Sequence, residues 1–176
     1  MPLTVNEYFA HFVEQLHEWY TTALTGLTDE QLYFHPDDHS NHIAFQAWHF
    51  IRTKDNVINF IMQDRKAPVW LRQNLFEEWD LPKVDQGTGM ATSDALSLRL
   101  PSVDALIQYA NEVHADTMPW VQSVSGDDLQ VTRKIMPWGE ATAVQLFGQT
   151  VVAHGNQHIG QINLLRTMQG LPGEDI

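Results

Sequence analysis

Two histidines one helical turn apart, His154 and His158, lie in the stretch QLFGQTVVAHGNQHIGQINLLRTM, at positions where leucine or isoleucine would be expected. Phe147, Val151, His154, His158, Ile162 and Leu165 recur at spacings of three and four, the stripe that a bundle helix turns towards its core. The i, i+4 spacing puts both imidazoles on one face, close enough to bind one ion together. A buried imidazole needs a partner for each ring nitrogen, and a pair of them invites a metal. The alternative is two hydrogen-bonded core histidines.

A third histidine sits in an equally apolar setting. His49 lies within IAFQAWHFI, among Phe45, Trp48, Phe50 and Ile51. With little access to water it requires a specific partner, either a metal or a backbone carbonyl. His49, His154 and His158 together would supply three neutral nitrogens from two helices. Such a set leaves coordination positions for water or substrate, the pattern of a catalytic rather than a structural site. A bound ion would lower the pKa of a bound water or thiol and polarise a substrate oxygen. Imidazole donors suit Zn, Ni, Fe and Cu and do not choose among them; a divalent ion, Zn or Ni, is the expectation. Gln157 and Gln161 flank the pair, either as outer donors or as ordinary polar neighbours. Arg52 follows His49 on the same side, able to orient an anionic group or to support the site from outside.

The elements that must position these side chains are legible in order. Thr4-Val5-Asn6-Glu7 is a capping box that opens a helix ending near Leu24, with Gly26 beyond it. Its expected apolar stripe is Tyr8, Phe12, Leu16, Trp19 and Ala23. A short capped piece starts at Thr28, and residues 35–39 form a turn. The helix carrying His49 spans about residues 42–63. Residues 64–100 are long and irregular, interrupted by Pro68, Pro82, Gly87 and Gly89, with one short helix around Trp70 to Phe76. A connection of this length is a crossover rather than a hairpin, and could serve as a lid. A third helix starts near Pro101-Ser102 and meets Pro119, which should kink or end it. Residues 131–136 form a brief extended segment, residues 137–140 a turn, and Thr142-x-x-Gln145 caps the last helix. Gly148, Gly155 and Gly160 inside that helix each cost about 1 kcal/mol of propensity, which close packing or room for a ligand would offset. Gly170 and Pro172 end it.

The 176 residues suffice for one domain with its own core. Cysteine is absent, which removes disulfides, thiolate zinc sites and a cysteine nucleophile. The net charge of −12, from 22 acidic and 10 basic residues, repels phosphate backbones, so no nucleic-acid partner is expected. No targeting pattern and no apolar run of membrane-spanning length appears, and a soluble cytoplasmic protein is the expectation. The six Trp residues belong mostly to the core, with some lining a pocket or interface; a homodimer through an exposed Trp-rich face is expected.

Rival sites lack their residues. A di-iron centre needs two Glu-x-x-His motifs, and only Glu14-x-x-His17 occurs. Gly155 follows His154 where a metalloprotease helix has its Glu. No phosphate loop or Gly-x-Ser-x-Gly elbow is present. His11, His17, His35, His39, His42 and His114 fall on amphipathic faces or in polar loops and read as solvated.

NHIAFQAWHFIRTKD resembles the second-helix signature of the DinB/YfiT-like family, and WGEATAVQLFGQTVVAHGNQHIGQINLLRTMQG resembles its last helix, with a Gly-Glu turn, His-x-x-x-His-x-Gly-Gln and a closing Gly. The order of elements is similar over essentially the whole chain. The resemblance implies an all-α fold, a four-helix bundle with a long crossover connection, as a single domain over residues 1–176. It implies a divalent ion held by His49, His154 and His158. Members with assigned activity are thiol-dependent transferases and isomerases using small thiols such as bacillithiol, mycothiol or glutathione. Several relatives carry a further histidine where this chain has Gln46. The expected function is therefore a metal-dependent enzyme acting on a small molecule, either a thiol-dependent S-transferase or isomerase or a hydrolase. The alternative is a non-catalytic metal or small-ligand binding protein on the same bundle. With no cysteine in the chain, any thiol must arrive with a cosubstrate.

Overall fold

The computed structural model describes residues 3–173, so the domain expected over 1–176 extends past the described residues at both ends. Helix accounts for 64% of the described residues, and the one sheet among them has two strands. The fold is all-α, as expected.

Helix α1, Val5–Leu24, starts at the expected capping box: the Glu7 N–H donates to Thr4 Oγ1 at 3.3 Å, and the Thr4 N–H donates to Glu7 Oε2 at 2.7 Å. Two backbone donors that the helix leaves unpaired are thereby satisfied. The buried face is Phe9, Val13, Leu16, Tyr20 and Ala23. This corrects the expected stripe at Tyr8, Phe12 and Trp19. Tyr8 is 50% exposed, while Phe12 and Trp19 are half-buried. The two stripes share Leu16 and Ala23; Tyr8, Phe12 and Trp19 each lie about 100° around the helix from Phe9, Val13 and Tyr20, which the bundle covers instead.

Helix α2, Ile43–Asp55, is buried along its whole length and runs on through a π-helical segment, Asn56–Met62. Helix α3, Val103–Ser123, is capped by Ser102, whose hydroxyl accepts from the Ala105 N–H at 3.0 Å. It continues past Pro119, which was expected to kink or end it. The expected extended segment and turn form a hairpin, β1 Thr132–Ile135 with β2 Gly139–Thr142. Ala143–Phe147, a π segment Gly148–Ala153, and His154–Met168 then follow without a break; this run is α4. The π segment interrupts the single α-helical stripe read from the sequence. At that point the Thr150 hydroxyl donates to the Leu146 carbonyl at 2.7 Å, a side-chain bond that competes with the helical ladder.

Helix α1 packs against α3 and α4, and α2 packs against α3 and α4. The first two helices meet across the centre, where Tyr20 stacks on Phe50 at 4.6 Å. Gly155 of α4 lies against this pair. A Cβ there would fall 2.7 Å from the Phe50 ring and 2.8 Å from Leu16, which gives this glycine the close-packing role that its propensity cost calls for. Gly160 has nothing within 4 Å and no such reason.

The connection from α2 to α3 is pinned by one buried carboxylate. Asp55 accepts from the N–H groups of Val69 and Trp70, from Asn59 Nδ2 and from the Tyr109 hydroxyl, at 2.8–3.0 Å. It thus caps the short helix Val69–Arg72 from a neighbouring element. The single short helix expected over residues 70–76 is instead two turns, Val69–Arg72 and Leu75–Glu78, split at Asn74, whose φ of 57° no α-helix can contain. Trp48, Trp70 and Trp79 are buried in the core around this connection, and Trp138 is 37% exposed. Trp19 and Trp120 are half-buried. Among those residues no helix is long and apolar enough to cross a membrane.

Candidate metal centre

His49 comes from α2, and His154 and His158 come from α4, the two helices that pack face to face. His49 and His154 are 7% and 8% exposed, and His158 is half-buried. Nε2 of His154 lies 3.1 Å from Nε2 of His49 and 2.9 Å from Nε2 of His158. One nitrogen from each of the three rings lies within 4.8 Å of the other two. The rings stand nearly perpendicular to one another, at 76–87°, like blades around a common point.

The outward nitrogens decide what the inward ones can do. His49 Nδ1 lies 2.6 Å from the Gln86 carbonyl oxygen. A carbonyl only accepts, so His49 carries its proton on Nδ1 and turns the Nε2 lone pair inward. His158 Nδ1 faces the carboxamide oxygens of Gln46, at 2.5 Å, and Gln161, at 3.0 Å, with the same consequence. Burial pushes all three imidazoles below their ordinary pKa, His154 to about 4 and His158 to about 3, and at those two the neighbouring imidazoles add to the effect. With the Nε2 lone pairs of His49 and His158 both turned inward, His154 Nε2–H can donate to only one of them, whereas a cation between the rings would serve all three nitrogens. Two imidazole nitrogens about 2.1 Å from one ion sit about 3.4 Å apart at a tetrahedral angle and about 3.0 Å apart at a right angle. The observed 2.9 and 3.1 Å are separations that two ligands of one such ion would have. The donor set therefore fits a divalent transition metal.

Three further groups at the site gave weaker signals in sequence. Gln46 is a buried polar residue inside an apolar run, a signal that could have flagged it. Gln86 acts through its backbone, so its side chain type carries no signal. Gly87 beside it has φ +91°, and a Cβ there would fall 3.0–3.1 Å from Phe45 and Trp48, so glycine lets the connection approach α2. Trp138, at the hairpin turn, sets its ring edge-on to His154 with centroids 5.9 Å apart. Of the flanking glutamines, Gln161 reaches His158 whereas Gln157 is exposed. Arg52 is directed away from the imidazoles, its guanidinium over Trp70 at 4.6 Å and its Nη2 donating to the Val84 carbonyl at 3.4 Å.

Three histidines read as solvated are not. His42 is 1% exposed and caps α2, its Nδ1 accepting from the Phe45 N–H at 3.0 Å. His17 and His114 stack at 3.9 Å between α1 and α3, and burial lowers both to about 4. Each sits on an amphipathic boundary that a neighbouring helix covers. His11 and His39 are exposed as expected.

A crystal structure described as the conserved protein of locus from Enterococcus faecalis superposes with a TM-score of 0.81, covering 96% of this chain and 99% of that one at 19% identity. Likeness at that identity shows the fold alone. No curated protein matches the chain. The DinB superfamily profile matches residues 11–162, which include all three histidines. With the all-α architecture and the convergent imidazoles already in place, that match shows that the chain belongs to the DinB superfamily.

Proposed function

We propose that this protein is a metal-dependent enzyme in which His49, His154 and His158 hold one divalent ion, Zn or Ni. Its substrate would be a small molecule, and the reaction a thiol-dependent S-transfer or isomerisation, or a hydrolysis with water in place of the thiol. The observation that carries the proposal is the set of three convergent nitrogens, two of them held in the ligating tautomer by carbonyl oxygens. When bound, the ion would supply Lewis acidity, lowering the pKa of a thiol or water. The residues do the rest. Gln86 and Gln46 fix ring orientation, Phe45 and Phe50 keep water from the imidazoles, and Trp138 borders the site on the hairpin side. The thiol comes from a cosubstrate, because the chain contains no cysteine.

Elemental analysis of protein purified without a nickel column should find about one divalent ion per chain, and none in His154→Ala. Stoichiometric metal in that variant would contradict the assignment. A non-catalytic binding protein is the competing reading, favoured by one observation: the side chains hydrogen-bonded to the outward nitrogen of His158 are the carboxamides of Gln46 and Gln161, neither suited to general-base work. Small thiols screened with electrophilic acceptors separate the two, since turnover requires the enzyme and binding without turnover the alternative.

A further inference from the structure

We infer that Gln46 is a positioning residue for the metal centre: its carboxamide oxygen selects the tautomer of His158 in which Nε2 is free to ligate. The inference rests on the three-histidine reading and adds a residue that no histidine count would find.

Gln46 stands one turn before His49 on α2, 5% exposed, flanked by Phe45 and Ala47. Its Oε1 reaches His158 Nδ1 on α4, 112 residues away in sequence, at 2.5 Å. The same side chain therefore ties the helix of the first histidine to the ring of the third. Gln161 approaches the same nitrogen at 3.0 Å, but it is exposed and belongs to the same helix as His158. A surface carboxamide exchanges freely with water and holds no fixed orientation, whereas one buried on a rigid helix does. His158 then keeps its proton on Nδ1 and directs the Nε2 lone pair towards His154 Nε2, 2.9 Å away. Without an acceptor at Nδ1 the ring can carry its proton on Nε2 instead, which removes the ligand atom. Partners of this kind on the far side of a ligating imidazole alter metal affinity by about ten- to a hundredfold.

The test uses the full chain, stripped of metal and titrated with Zn²⁺ against a chromophoric chelator. Gln46→Met, of similar length but with no acceptor oxygen, should bind Zn²⁺ about ten- to a hundredfold more weakly than wild type. Gln46→Glu, an obligate acceptor, should restore affinity to the wild-type level or above, and Gln161→Met should change it less than about threefold. Imidazole ¹⁵N spectra of the metal-free protein should show His158 protonated on Nδ1 in wild type and in Gln46→Glu, and on Nε2 in Gln46→Met. Equal affinities for wild type and Gln46→Met, or a larger loss in Gln161→Met, would overturn the assignment. If Gln46→Met does not fold, the wild-type spectrum decides by itself: a proton on Nε2 overturns the inference. A wild-type chain that takes up no Zn²⁺ would instead sink the metal reading on which it depends.

Discussion

Replacing Gly155 with alanine adds one methyl group where α4 passes nearest to α1 and α2. That methyl would lie 2.7 Å from two atoms of the Phe50 ring and 2.8 Å from Leu16 Cδ1, against an ordinary carbon–carbon separation of about 3.5–4.0 Å. Relief by a single side chain is blocked. Phe50 is stacked on Tyr20 at 4.6 Å, and the Tyr20 hydroxyl donates to the Gly155 carbonyl at 3.1 Å. Alanine gains about 1 kcal/mol of helix propensity, while overpacking a tight core costs about 1–3 kcal/mol. Short contacts from two helices place this site at the upper end, leaving a net loss of about 1–2 kcal/mol. For a chain of this size each kcal/mol moves Tm by about 2–4 °C, so Gly155→Ala should unfold about 2–8 °C below wild type in a calorimetric scan. Gly160→Ala is the control. It lies in the same helix with nothing within 4 Å, so the propensity gain stands alone and Tm should rise by about 2–4 °C. Because Phe50 lies 6.2 Å from the His154 ring, Gly155→Ala should also weaken ion binding, and Gly160→Ala should not. Equal stabilisation by both substitutions would refute the close-approach account of Gly155.

Asp55→Ala removes the shared acceptor of two backbone N–H groups, an amide and a hydroxyl. At about 1–3 kcal/mol for each group left unsatisfied, the loss should exceed about 3 kcal/mol and be visible as a Tm drop of about 10 °C. The same variant should be cleaved faster by protease within residues 64–100 under native conditions, and unchanged cleavage would count against Asp55 as the anchor of that connection. Divalent ion at a hundred times its Kd should stabilise the folded chain by about 2.7 kcal/mol, reversibly with chelator, and should do nothing for His49→Ala. Lys54 is buried beside His114 Nδ1 at 3.3 Å, and burial lowers its pKa from 10.5 to about 7. Its folded pKa lies below its unfolded one, so the unfolded chain holds the extra proton in between, and its contribution to stability rises as pH increases from 7 towards 10. Chemical denaturation of Lys54→Met across that range should show a flatter profile than wild type; parallel profiles would mean that Lys54 is solvated.

The sequence by itself determined whatever depends on local geometry. A helical turn of 3.6 residues fixes His154 and His158 on one face whatever surrounds them, and the capping boxes at Thr4 and Thr142 need only residues three apart. The apolar run around His49 likewise announced a buried imidazole. Tertiary packing decided everything that joins one helix to another. His49 meets His154 across 105 residues, Gln46 meets His158 across 112, and the Gln86 carbonyl reaches His49 from a connection with no regular periodicity. Packing also chose Phe9 and Val13 over Tyr8 and Phe12, and covered His42, His17 and His114. The physical reason is one of range. Periodicity and capping act over a few residues and can be read along a line. Which of two apolar stripes turns inward, and which carbonyl faces a ring nitrogen, depend on how neighbouring helices fill a shared volume.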